Sequence, residues 1–175
     1  MQQSQQNEGL YPVKLASKGG EIRYNWAVKD FERLSDLLLN DSGAVKVHIE
    51  GLFDHQKRCL LKTRIQADLT LECQTTFEAI EFKLDRNVTF CSVTSEEQFA
   101  QVEKEFEPVM AVDGWLDIKQ IIEDELILSL PVVANKPADE LKSAMQFGHI
   151  DEGQADAEKA KANPFSVLSD FRKND

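Results

Sequence analysis

The sequence predicts an α+β domain: a mostly antiparallel β-sheet of meander or hairpin form, packed by two helices and followed by a mobile acidic C-terminal tail. Three observations predict it. Apolar and polar residues alternate at period two across 45–53 and again across 58–73, the mark of half-buried antiparallel strands with one wet face. Residues 115–131, WLDIKQIIEDELILSLP, carry helix signals at both ends. Acid is unevenly placed: residues 1–90 hold 12 Lys+Arg against 13 Asp+Glu, and residues 91–175 hold 8 against 18, within a net charge of −11.

Residues 1–9 form a Gln-rich leader without a packing pattern, predicted disordered. Tyr11–Leu15 reads as a short edge strand begun by Pro12, and Lys18-Gly19-Gly20 as a turn. Glu21–Val28 alternates Ile22, Tyr24, Trp26 and Val28 against polar neighbours, which predicts a strand. Asp30–Leu39 places Phe31, Leu34, Leu37 and Leu38 at helical spacing behind Asp30 as a cap. Val45–Phe53 turns through Asp54–Lys57 into Arg58–Cys73, and Ala79–Val93 continues the sheet with a bulge or bend at Asp85-Arg86-Asn87. Ser95–Glu105 is a short helix or a loop, and Glu107–Val112 an edge strand.

The helix that follows is the best-marked element. Asp117 is placed to cap it, with Gln120 three residues on and Leu116 and Ile121 as a hydrophobic staple. Pro131 ends it. Its second half, LILSLP, is apolar nearly all round and predicts cover on more than one side. The folded domain therefore spans 10–133. Residues 134–162 predict a mobile acidic segment, and 163–175 a short helical peptide with Asn163 as cap and Pro164 in the first turn.

Composition excludes several classes. The acidic second half repels phosphate, so broad non-specific nucleic-acid binding through it is not expected. No apolar run reaches membrane-span length, and no signal-peptide core precedes the domain. Three cysteines, Cys59, Cys73 and Cys91, make no disulfide framework, and a cytoplasmic chain with reduced thiols is the expectation. No nucleophile–base pair is visible: His48 lies on an outward strand phase, His55 in a turn and His149 in the tail. Cys73 stands where a zinc knuckle would begin, but position 76 is Thr, and one thiolate cannot hold zinc. No metal and no cofactor are expected.

Two clusters remain. Lys46, His48, Lys57, Arg58, Lys62 and Arg64 lie on the outward hairpin face or in its turn, a basic patch suited to RNA phosphates. The plain alternative is a solvated sheet face, because Glu50, Asp54 and Asp68 are interspersed. Glu123, Asp124 and Glu125 are three acids that core packing does not explain. They are open to solvent, to backbone groups at the sheet edge or to a basic partner.

Leu69-Thr-Leu-Glu-Cys73-Gln, Phe106-Glu-Pro-Val109, Asp117-Ile, Glu123-Asp-Glu-Leu-Ile-Leu-Ser-Leu-Pro131-Val-Val and Asn163-Pro-Phe-Ser-Val-Leu168 occur in this order. Together they resemble the bacterial YceD family, the large ribosomal RNA subunit accumulation proteins, over roughly the whole chain. The resemblance implies a cytoplasmic, non-enzymatic ribosome-biogenesis factor that supports synthesis, processing or stability of 23S rRNA. Its implied partners are 23S rRNA or its precursor, and a ribosomal protein or RNA-processing enzyme, with no membrane. Many members carry Cys-x-x-Cys where this chain has Cys73-Gln-Thr-Thr76, and a further Cys where it reads Ala134-Asn-Lys-Pro137. Under an adaptor alternative, Glu123–Glu125 and the peptide with Asn163, Pro164, Phe165 and Leu168 recruit a protein, and RNA is not touched.

Overall fold

Alternating side chains build the sheet, and the computed structural model describes it within residues 9–137. The elements run β1 (Gly9–Leu10), α1 (Pro12–Ser17), β2 (Glu21–Ala27), a 3-10 turn (Val28–Asp30), α2 (Glu32–Ser35), β3 (Ala44–Phe53), β4 (Cys59–Glu72) and β5 (Ala79–Val93). They continue with α3 (Glu96–Gln101), β6 (Glu107–Met110), β7 (Leu116–Asp117) and α4 (Ile118–Ser129). This is the α+β architecture the alternation predicts. The described residues up to Lys136 form one compact unit. The acidic stretch from 138 and the peptide at 163–175 lie outside the described residues, as does the leader up to residue 8.

The main sheet has the order β2-β3-β4-β5-β6. The first four strands form an antiparallel meander. β6 joins β5 in parallel, and α3 is the connection that makes this possible. A small antiparallel pair, β1 with β7, stands apart from it.

Inward residues Val45, Val47, Ile49, Leu61, Ile65, Ala67, Leu69, Val88 and Phe90 form one core with Ile118, Ile122 and Leu126 of α4 and with Phe31 and Leu34. Burying each of these side chains except Ala67 contributes about 1.5–3 kcal/mol. A second cluster sits on the other face at the turn end: Leu60, Cys91 and Val93, covered by Leu52, Val102 and Phe106. It explains why Leu52 and Leu60, in the outward phase, are apolar.

Four expectations change. Tyr11–Leu15 is not a strand; Pro12 takes the first turn of α1, where its missing N–H is not needed, and Leu15 N bonds Tyr11 O at 3.1 Å. The helix expected over Asp30–Leu39 is a 3-10 turn and a single α-turn, because Leu39 N leaves to bond Thr70 O of β4 at 2.9 Å. Asp30 serves that 3-10 turn, accepting from Ala27 N at 3.0 Å. No bulge interrupts Asp85-Arg86-Asn87, since β4 and β5 stay in one register from Cys59↔Ser92 to Glu72↔Ala79. On α4, Leu126 is buried but Leu128 is 77% exposed, so the second half is not covered all round.

Candidate functional site

Strand register converts the outward phases into rows across the sheet. The central row is Arg23–His48–Arg64–Asn87. Beside it run Asn25–Lys46–Gln66–Asp85 and Glu21–Glu50–Lys62–Thr89. Neighbouring strands lie about 4.8 Å apart, so each row crosses about 14 Å. An open hollow of about 460 Å³ is lined by Arg23, Asn25, Lys46, His48, Arg64 and Gln66, among others.

The arginines and the histidine of this face lie against carboxylates. Arg64 bonds Asp85 through both Nε (2.9 Å) and Nη2 (2.6 Å), and Gln66 Nε2 reaches the same carboxylate at 3.0 Å. The Arg64 guanidinium, and then Gln66, hold the Asp85 carboxyl below its usual range despite burial. His48 Nε2 lies 3.0 Å from Glu21 Oε2, and Arg23 Nη2 lies 3.1 Å from the same oxygen. Lys46 and Lys62 are exposed and form no ion pair among the described residues.

Four of the six sequence-predicted cations therefore share one face: Lys46, His48, Lys62 and Arg64. Lys57 and Arg58 are at its far end. Lys57 sits exposed in the turn with φ 62°. Arg58 pairs with Asp54 (Nε–Oδ2 2.6 Å) and Glu103 (3.2 Å) and lies over the Phe106 ring at 5.0 Å. Burial raises the Asp54 pKa, but the Arg58 guanidinium and the N–H groups of Arg58 and Gln56 outweigh it and hold the carboxyl low. Arg58 thus pins the hairpin turn to the α3–β6 connection. Arg23 and Lys83 were missed; only the pairing of β2 on β3 and of β5 on β4 places them on this face. With them, Arg23, Lys46, Lys62, Arg64 and Lys83 face Glu21, Glu50, Asp68 and Asp85. Five against four is a nearly balanced surface rather than a basic patch.

The three acids of α4 are engaged within the chain. Asp117 caps the helix, accepting from Gln120 N at 3.0 Å. Glu123 accepts from Arg33 N (2.9 Å) and Leu34 N (3.2 Å), the open donors of α2, and from the Arg33 guanidinium. Asp124 pairs with Arg33 Nη1 at 2.7 Å and stays half exposed. Glu125 is buried, with Oε1 2.5 Å from Arg86 Nε. Burial pushes its carboxyl pKa up; Arg86 opposes this and Glu107 adds to it. Asn163, Pro164, Phe165, Leu168 and His149 lie outside the described residues.

The loop after β4 meets the chain that leaves α4. Gln74 N bonds Ala134 O at 2.9 Å, Thr75 Oγ1 bonds Asn135 Oδ1 at 3.0 Å, and Lys136 Nζ pairs with Glu78 at 2.6 Å. The Cys73 thiol pKa falls to about 7: the Thr76 hydroxyl lowers it most, burial resists, and the N–H groups of Lys136, Thr76 and Thr75 add to the fall. The loop thus offers one sulfur beside Thr and Asn, a donor set that does not fit zinc. Among the described residues no three His, Cys, Asp or Glu side chains converge to hold a metal. No helix among them is long and apolar enough to cross a membrane.

The family model described as large ribosomal RNA subunit accumulation protein YceD matches residues 61–172. A protein of that name from Haemophilus influenzae is 29% identical over 165 residues, covering 92% of each chain. No solved structure matches the chain.

Proposed function

This chain belongs to the YceD family, and from that premise we propose that it is a non-enzymatic ribosome-biogenesis factor supporting the synthesis, processing or stability of 23S rRNA. The family's name, that of a large ribosomal RNA subunit accumulation protein, supports the role. The contact surface is the outward face of the sheet, and the observation that carries it is the Arg23–His48–Arg64–Asn87 row flanked by Lys46 and Lys62. Rigid strands hold the backbone of these donors in register, so binding RNA orders side chains but no main chain. Lys57, at the turn, extends the contact, while Arg58 supports the turn. In this role the chain would act in the cytoplasm.

Crosslinking in cells with sequencing, and mass spectrometry of the same eluate, tests this. Reads concentrated at one place in 23S rRNA, lost with Lys62→Glu/Arg64→Glu, are expected. An unchanged crosslink pattern and salt slope in that variant contradict the assignment of this face.

A second reading is favoured by the near balance of charge on the face and the acidity of residues 91–175. There the chain is an adaptor for a basic ribosomal protein or an RNA-processing enzyme, and RNA contact is indirect. Glu123 and Glu125 are shielded in their cis contacts, so Asp124, half exposed although paired with Arg33, and the Asn163, Pro164, Phe165, Leu168 peptide would carry the contact. A stoichiometric protein in the eluate without RNA crosslinks, lost on deleting 163–175, is the result that selects it.

A further inference from the structure

The outward face differs in two ways from surfaces that grip single-stranded RNA. Across its rows, from Glu21 to Ala27, Ala44 to Glu50, Lys62 to Asp68 and Lys83 to Thr89, no outward position is Phe, Tyr or Trp. Tyr24 and Trp26 stack on each other at 4.6 Å, and both occupy the inward phase of β2. Single strands are held by stacking bases on aromatic rings, and this face has no such platform. Its donors are also interleaved with acceptors. Asp85, on β5, is bonded to Arg64 and Gln66 of β4, and Glu21, on β2, lies 3.0 Å from His48 of β3.

A phosphate oxygen only accepts hydrogen bonds, so a fixed carboxylate beside it is repulsive. A ribose 2′-hydroxyl both donates and accepts. Amides such as Asn25, Gln66 and Asn87 and the carboxylate of Asp85 can all satisfy it. In double-helical RNA, rows of 2′-hydroxyls line a wide, shallow minor groove that a shallow polar surface can approach. Resting on the reading of this face as the RNA contact, we infer that it reads the 2′-hydroxyl-lined minor groove of duplex RNA rather than unstacked bases. Lys62, on one side of the central row, and Lys46, on the other, take phosphates, and Asn25, Gln66 and Asp85 beside Lys46, with Asn87, take the riboses.

The test is fluorescence anisotropy of the full chain with three probes of one arbitrary sequence: an RNA duplex of about 20 base pairs, the same DNA duplex, and one RNA strand alone. The RNA duplex should bind roughly tenfold or more tighter than either other probe. Gln66→Ala/Asn87→Ala, both exposed positions, should shrink the RNA-over-DNA ratio, whereas Lys62→Gln should weaken both duplexes alike. Equal or tighter binding of the single strand, or of the DNA duplex, overturns the inference while leaving RNA contact standing. Binding to none of the three overturns the RNA-contact reading and this inference with it.

Discussion

Glu123 of α4 takes the backbone N–H groups of Arg33 (2.9 Å) and Leu34 (3.2 Å) with one carboxylate oxygen and the Arg33 side chain with the other (Nη2, 2.8 Å). The acid thus caps a helix in another part of the chain, and its side chain is only 12% exposed. Glu123→Ala leaves two donors of α2 open beside Leu34 in the core and should cost about 2–3 kcal/mol. Urea unfolding measures this. Glu123→Gln keeps one acceptor and should cost less; Arg33→Ala should cost least, because the backbone bonds remain.

Glu125 gives stability a pH dependence of opposite sign to the usual carboxylate. Its folded pKa lies above the ordinary 4.5 because burial disfavours the charge. The folded state then binds the proton more tightly than the unfolded one. Stability is full below 4.5 and falls as pH rises from there through the folded value. Glu125→Gln removes that loss. Its stability relative to the parent chain should improve between pH 4 and pH 7, read as urea midpoints; parallel pH profiles would contradict the burial argument.

Asp85 occupies Nε and Nη2 of Arg64 and offsets its charge toward any anionic ligand. Asp85→Asn removes the charge and one strong bond, and should raise affinity for RNA duplex by roughly two- to fivefold and steepen its salt dependence. Asp85 also stays ionised to lower pH than usual, so its contribution to the fold is present above the ordinary carboxyl value and is lost only as pH falls through the depressed one. Anisotropy titrations at two salt concentrations decide the first point.

The three thiols should separate in reactivity. Cys59 is pushed up to about 11 by burial, with Cys91 adding, and Cys91 is itself raised by burial. Cys73 falls to about 7. It is shielded from solvent, so alkylation waits on opening of the 73–78 loop. Peptide mass spectrometry after brief iodoacetamide treatment at pH 7.5 should find Cys73 modified first, and Cys59 and Cys91 only on unfolding.

Gly51 lies beneath α1. A Cβ there would stand 2.8 Å from Ala16 N and 2.9 Å from Leu15 C, both backbone atoms that cannot turn aside. Gly51→Ala should push α1 off β3 at a cost of about 1–3 kcal/mol, seen as a lower thermal midpoint. Gly19→Ala, with open space around its Cβ, tests φ alone and should cost less.

What the sequence disclosed follows from the range of each signal. Alternation through Val45, Val47 and Ile49 and through Leu61, Ile65 and Leu69 is local, so β3, β4 and the wet face carrying Lys46, His48, Lys62 and Arg64 were legible. Asp117 and Gln120 are local too, and mark the start of α4. Pro12 opens a strand or a helix equally well, and five residues are too few for periodicity to decide. Leu34, Leu37 and Leu38 have helical spacing, yet the chain departs at Leu39 for Thr70, thirty-one positions away. The partners of the acids were invisible for the same reason: Arg33 lies 90 residues from Glu123. The ion pairs that nearly neutralise the face depend on cross-strand register, which no local pattern carries.

The five main strands lie side by side in the order in which they are synthesised. Each new strand can therefore add to the one before it as the chain emerges, across short loops from β3 to β4 and from β4 to β5 and across longer connections that carry α2 and α3. The lid comes late. Ile118, Ile122 and Leu126, which cover the inward face, follow every strand of the sheet. A nascent chain that ends before residue 118 presents Val47, Ile49, Leu61 and Ile65 without the cover of α4, and it is at that stage of its own translation that this protein is most exposed to aggregation or to a chaperone.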